Sequence, residues 1–136
     1  MKTLNRILIQ LDKAVASANS KLPQERALSV ILFDNLIEFQ LYKYAEFTLA
    51  LDQTTWYRGR RAIAKEVRDN TIGPKGKYDR LIKLSSDTKV INPDELEILK
   101  FAHEIRNAVY HRDEDDITKI DLAILIYYSF ILTLYE

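Results

Sequence analysis

The chain has 136 residues, of which 47% are hydrophobic and 29% are charged, a composition typical of a globular domain and unlike that of a disordered chain. Lys plus Arg and Asp plus Glu each number 20, so binding to a polyanion would require local separation of charge. The sequence has no cysteine, which excludes disulfides, thiolate metal sites and cysteine nucleophiles and is compatible with a reducing cytoplasm.

The N-terminal segment is predicted to be an amphipathic helix. Its apolar residues recur at three- and four-residue steps and form one stripe, made of Leu4, Ile7, Leu8, Leu11, Ala14, Val15 and Ala18. Asp12 and Lys13 lie within this pattern, so we do not expect a signal peptide. A second, long helix is predicted from Pro23, a residue suited to the first helical position, to about Leu51.

The middle of the chain is markedly basic. Residues 56–70 are predicted to be helical, and the turn-forming run from Thr71 to Gly76 follows them. Trp56 and Tyr57 begin this segment and could stack on unpaired bases. The candidate RNA-binding cations are Arg58, Arg60, Arg61, Lys65, Arg68 and, later in the chain, Arg112. The alternative is a solvated helix face that its aromatic residues anchor to the core.

Two further helices are predicted after the basic segment. A short one is indicated by the apolar spacing of Tyr78, Leu81, Ile82 and Leu84. The next has a strong start signal, because Asn92 can cap it, Pro93 suits its first position and Glu95 completes a capping box. This helix is predicted to end near Val109, which leaves His111 in the polar loop that follows.

The final helix, from Ile117 onward, is apolar on nearly every side. Such a helix must be buried in the centre of a bundle or in a subunit interface. Its most apolar run, residues 122–135, is shorter than the ~20 residues that a membrane-spanning helix needs. We therefore expect an all-α fold, a compact bundle of about five helices in one domain over residues 1–136. We also expect a two-fold homodimer through the C-terminal helices, no membrane association and a cytoplasmic location.

The residues with the most suggestive chemistry lie between Glu104 and His111. Arg106 is a permanent cation suited to gripping phosphate, and His111 can give or take a proton near neutral pH. Asn107 could bond carbonyl groups at the helix end or could orient Arg106 or a substrate. In the alternative interpretation, Arg106 is an ordinary cation near a helix C-terminus and His111 is an ordinary loop residue. Tyr110 is a candidate core residue.

Other kinds of reactive site are excluded by spacing. His103 and Glu104 begin like a zinc-protease helix, but Asn107 stands where the second histidine would be required. His103 is therefore predicted to be a partly buried structural histidine. No serine lies in a Gly-x-Ser-x-Gly turn, and residues 73–76 lack the spacing of a phosphate-binding loop. We expect neither a metal nor a cofactor.

The stretch from Arg106 and Asn107 to His111 resembles the signature of the HEPN domain superfamily. That signature is an arginine, a following polar residue, most often asparagine, and a histidine a few residues further on. The context is similar too, because the arginine is near the end of the penultimate helix, an acidic loop follows and an apolar helix ends the chain. With the helical layout and the size, the resemblance covers essentially the whole chain.

The resemblance implies a metal-independent endoribonuclease that acts as a two-fold dimer with both motifs facing one cleft. On this basis Arg106 and His111 are the catalytic pair, and Asn107 is the supporting polar residue. RNA would be cleaved through attack by its 2′-hydroxyl to leave a 2′,3′-cyclic phosphate. Such proteins serve as toxins, antiviral defence effectors or RNA-processing enzymes, so an antitoxin or regulatory protein is a possible further partner.

One residue departs from a HEPN subfamily. Toxins paired with nucleotidyltransferase antitoxins have a tyrosine two residues after the histidine, where this chain has Asp113. Regulation by modification of that tyrosine is therefore not expected. The alternative function is a non-catalytic HEPN-like helical module that dimerises or binds a nucleotide or RNA.

Overall fold

The computed structural model describes residues 2–54, 78–112 and 117–134. Over these residues it contains five helices and no strand, which confirms the all-α prediction for this part of the chain. In chain order the helices are α1 (Lys2–Ala18), α2 (Pro23–Thr54), α3 (Tyr78–Asp87), α4 (Pro93–Arg112) and α5 (Ile117–Leu134). The helix predicted at 56–70 lies outside the described residues, as do the candidate RNA-binding residues Arg58, Arg60, Arg61, Lys65 and Arg68.

The chain divides into two compact units. The first comprises Met1–Ile37 and Ile98–Glu136, so it contains α1, the start of α2, most of α4 and all of α5. The second comprises Glu38–Glu97, with the rest of α2, α3 and the start of α4. Arg106, Asn107 and His111 belong to the first unit.

The core of the first unit is built from the apolar faces of α2, α4 and α5. Phe33 of α2 links two of these helices, because its ring stacks on Tyr127 of α5 with centroids 6.5 Å apart and is tilted against Tyr128 at 5.0 Å. Other buried side chains in this core include Val30, Leu36, Ile37, Leu99, Ala102, Ile105, Ile120, Ala123, Ile124, Phe130, Ile131 and Leu134. These faces fix the orientation of α4, and so of the candidate site that it carries.

The first helix buries only part of its predicted apolar stripe. Ala14 and Ala18, near the end of α1, are buried, whereas Leu4 and Leu8 are exposed. The stripe is therefore covered within the first unit only towards its C-terminal end.

The turn between α3 and α4 follows the chemistry of its residues. Asn92 N donates to Glu95 Oε1 at 3.0 Å and Glu95 N donates to Asn92 Oδ1 at 2.8 Å, which confirms the predicted capping box. Before it, Lys89 has φ 64°, and the N–H groups of Lys89 and Val90 donate to the carbonyls of Ser86 and Ser85. Helix α3 thus ends in a Schellman motif with a lysine where glycine is favoured.

Helix α4 is longer than predicted. It continues to Arg112, so the expected end near Val109 was wrong and His111 lies on the helix rather than in a loop. Neither glycine nor proline interrupts this stretch, and the Arg106 guanidinium packs over the ring of Tyr110, one turn further on, at 5.1 Å. Such a pair at four-residue spacing stabilises a further turn.

Helix α5 has one buried apolar face and one exposed apolar face. Ala123 and Tyr127 are fully buried, whereas Leu125 and Leu132 are each 67% exposed and Leu122 is 43% exposed. One side of this helix is therefore buried within the first unit, and whether a subunit interface covers the other side stays a prediction. No helix in the described ranges has the length and apolar character to cross a membrane.

Candidate active site

A buried polar cluster of the first unit surrounds the carboxylate of Asp34 on α2. Asp34 is fully buried, and the Tyr127 hydroxyl of α5 donates to its Oδ1 at 2.7 Å. His103 Nδ1 of α4 lies 3.0 Å from Oδ1 and 3.1 Å from Oδ2. Because an ionised carboxylate only accepts hydrogen bonds, we assign the proton of His103 to Nδ1.

The cluster contains a formal ion pair as well. Arg106 Nε lies 3.5 Å from Asp34 Oδ2, close enough for electrostatic attraction. The orientation does not make a hydrogen bond, and this buried Nε has no hydrogen-bond partner among the described residues. Burying a carboxylate is costly unless charge and hydrogen bonds compensate it. Tyr127, His103 and Arg106 supply that compensation.

The guanidinium of Arg106 is also held by its own helix. Its Nη1 donates to Oδ1 of the neighbouring Asn107 at 3.1 Å, and its Cζ lies over the Tyr110 ring. The side chain is 21% exposed, so part of it remains accessible to solvent. Arg106 therefore joins the buried Asp34 cluster to the surface at the end of α4.

His111 lies on that surface and is exposed. Its ring meets Tyr110 edge-on, with centroids 4.8 Å apart. Along a helix the five-residue step from Arg106 to His111 is a rotation of roughly 500°, so the two side chains leave α4 about 140° apart. Asn107 and His111, at a four-residue step, lie nearer to one face.

These contacts bring the three predicted catalytic residues into one short chain of neighbours. Arg106 bonds Asn107 directly, and Tyr110 packs against both Arg106 and His111. Tyr110 is 61% exposed, so its assignment to the core was wrong. Tyr110 lies beyond Ile105, the last residue of α4 shown to be buried in the core. Arg112 is the last residue of the helix, and its side chain lies outside the described residues.

His103 is partly buried, as predicted, with 17% of its side chain exposed. Its partner Asp34, and the Tyr127 hydroxyl that bonds the same carboxylate, were missed. Asp34 and Asn35 both interrupt the apolar run of α2 between Phe33 and Leu36, and the sequence does not show which of the two is buried. The pairing itself connects residues 69 positions apart, so no local pattern could have indicated it.

Within the described ranges, no group of three or more His, Asp or Glu side chains is placed to hold a metal ion. Comparison with protein-family models, with curated proteins and with solved structures finds no match for this chain.

Proposed function

We propose that the protein is a metal-independent endoribonuclease whose active site is shared between two copies of the chain. The observation that carries the proposal is the continuous contact from Arg106 through Tyr110 to His111 at the exposed end of α4, with Asn107 bonded to Arg106. This surface offers a cation, an amide, an aromatic ring and an imidazole. Of these groups, the imidazole can transfer protons and the cation can stabilise charge on a phosphodiester.

RNA provides its own nucleophile, so the enzyme needs only to move protons and stabilise charge. One His111 removes the proton of the 2′-hydroxyl as the 2′-oxygen bonds to phosphorus. As the bond from phosphorus to the 5′-oxygen breaks, a second imidazole gives that oxygen a proton. Arg106 donates hydrogen bonds to the charged phosphoryl oxygens. The products are a 2′,3′-cyclic phosphate and a 5′-hydroxyl.

A single chain is poorly arranged for both proton transfers. It has one histidine at this surface, and an in-line attack places the entering and leaving oxygens on opposite sides of phosphorus. Arg106 and His111 also diverge by about 140° around α4. A two-fold dimer supplies a second His111 and a second Arg106 to one cleft.

The exposed apolar face of α5 supports such a dimer. Leu122, Leu125 and Leu132 fall within one narrow arc of the helix, opposite the buried face of Ala123 and Tyr127. Three leucines on one outward stripe are a feature of association surfaces. We propose that the same stripe of a second copy packs here.

Tyr110 and the basic segment extend the proposal to single-stranded RNA. A ring that is 61% exposed beside Arg106 and His111 can stack on an unpaired base. The basic segment is assigned to phosphate contacts on its composition alone. Neutralising Arg58, Arg60 and Arg61 together should weaken RNA binding and flatten its dependence on salt. An unchanged salt dependence of RNA binding would favour the alternative, in which these residues form a solvated helix face.

A non-catalytic helical module is the second candidate, and the ion pair of Arg106 with Asp34 favours it. An arginine that compensates a buried carboxylate already has a structural purpose. In this case Arg106 stabilises the first unit, and the leucine stripe of α5 is simply an interaction surface.

Cleavage of labelled single-stranded RNA and tRNA at low salt separates the two candidates. The nuclease proposal predicts cleavage by the wild-type protein and at least about a hundredfold loss in Arg106→Ala, because a charge-stabilising contact is removed. Lys13→Ala, which removes an exposed cation of α1, is the matched control and should cleave normally. No cleavage by wild type would favour the module.

A further inference from the structure

We infer that Asp34 is a positioning residue that holds the Arg106 guanidinium in the orientation needed to bind phosphate. This inference rests on the proposed nuclease function and adds to it a residue distant in sequence from the motif. Asp34 does not contact the substrate, since it is fully buried. It acts through Arg106, from which its Oδ2 is separated by 3.5 Å.

The guanidinium is restrained on three sides. Asp34 Oδ2 lies near its Nε, the Tyr110 ring lies against its Cζ, and Asn107 accepts from Nη1. A free arginine side chain would lose considerable rotamer entropy on binding phosphate. These contacts remove that freedom beforehand, so the outer Nη edge is presented in a fixed direction.

Asp34 can serve as an anchor because it is itself fixed from two other helices. The hydroxyl of Tyr127 on α5 and the imidazole of His103 on α4 both bond its carboxylate. The position of Arg106 is thereby fixed relative to α2, α4 and α5. Support of this kind from surrounding residues keeps catalytic side chains in position.

Stability alone is a weak reason for this cluster. Apolar residues of similar volume often stabilise a fold as well as a buried ion pair does, or better. A different ion pair, Arg26 of α2 with Asp121 of α5, remains partly exposed and avoids the cost of full burial. The buried position of Asp34, directly behind the candidate catalytic arginine, is better explained by a role in orienting Arg106.

The test uses Asp34→Asn in the full chain, which preserves volume and keeps an acceptor for Tyr127 and His103 but removes the charge. With single-stranded RNA as substrate, kcat should fall by about tenfold to a hundredfold, with a smaller change in KM. In an Arg106→Lys background the same substitution should cause less than about a twofold further loss, because it acts through Arg106.

Two controls separate positioning from general destabilisation. Ile124→Val removes a methyl group from the same core without touching the cluster, and it should leave kcat unchanged. NMR of the Arg106 Nε–H group should show an ordered side chain in wild type and a mobile one in Asp34→Asn. If Asp34 has only a structural role, Asp34→Asn will change the unfolding midpoint but neither kcat nor the order of the Arg106 side chain.

The outcomes are distinct. If wild type cleaves RNA and Arg106→Lys is impaired while Asp34→Asn keeps its kcat and an ordered Arg106, the positioning role is overturned and the nuclease proposal stands. If Asp34→Asn lowers kcat by the same factor in the wild-type and the Arg106→Lys backgrounds, the effect does not pass through Arg106 and the inference is wrong. If wild type cleaves no RNA, the nuclease proposal and the role that rests on it both fall.

Discussion

The fully buried carboxylate of Asp34 lies 3.5 Å from Nε of Arg106, so a residue in the first half of the chain contacts the arginine of the C-terminal motif. This contact places the motif at a junction of α2 and α4 instead of on an isolated helix end. Arg106 thus compensates the buried charge of Asp34 while part of its own side chain remains exposed.

Loss of the Asp34 carboxylate should be strongly destabilising. Asp34→Ala leaves the Tyr127 hydroxyl and the His103 imidazole without their acceptor, so we expect a cost of about 3–5 kcal/mol in unfolding free energy. Tyr127→Phe removes one hydroxyl and should cost about 1–2 kcal/mol. Urea unfolding followed by circular dichroism measures both values.

The partly exposed ion pair of Arg26 with Asp121 is the control for that comparison. Because solvent screens it, Asp121→Asn should change the unfolding free energy by less than about 1 kcal/mol. A cost for Asp34→Ala that is no larger than that of Asp121→Asn would show that the buried cluster is energetically unimportant.

Replacing Lys89 with glycine should stabilise the second unit. Lys89 adopts φ 64°, a conformation that is costly for any residue with a Cβ atom. Part of the gain is offset by the greater freedom of glycine in the unfolded chain, which leaves a net of about 0.5–1 kcal/mol. Lys89→Ala keeps the Cβ atom and should have little effect. Equal unfolding midpoints for the glycine and alanine variants would refute this explanation.

Charge on the exposed face of α5 should break the dimer. Leu125→Glu combined with Leu132→Glu places two carboxylates in the proposed interface while costing little in a free chain, where both leucines are exposed. Light scattering should report a dimer for wild type and a monomer for this variant. Leu4→Glu, on the exposed part of α1, is the matched control and should remain dimeric. A monomeric wild type, or a double variant that remains dimeric, would contradict the proposed interface.

Much of the helical layout could be predicted because its signals are local. The apolar spacing and the Asn92–Glu95 capping box depend on residues within a turn or two of one another. The end of α4 was misjudged because the polar residues after Val109 suggested a loop, although no helix breaker precedes residue 113. The contact of Arg106 with Tyr110 favours the extra turn.

The candidate site could be predicted only in part, for a physical reason. Arg106, Asn107 and His111 are close in sequence, so their types and spacing suggest chemistry directly. Asp34 and Tyr127 meet only after α2 and α5 pack, and neither residue has a recognisable motif. The direction in which each side chain leaves α4 also depends on whether the helix continues. Because the end of α4 was predicted near Val109, the direction of His111 could not be predicted.

In the proposed mechanism, His111 performs acid–base cleavage of RNA without a metal. The most direct measurement is mass spectrometry of the ends produced from a short single-stranded RNA in EDTA, by wild type and by a folded, dimeric His111→Ala variant. We predict a 2′,3′-cyclic phosphate and a 5′-hydroxyl from wild type, and at least about a hundredfold less product from the variant. Full activity of His111→Ala, or activity in wild type only after Mg²⁺ is added, would contradict the claim.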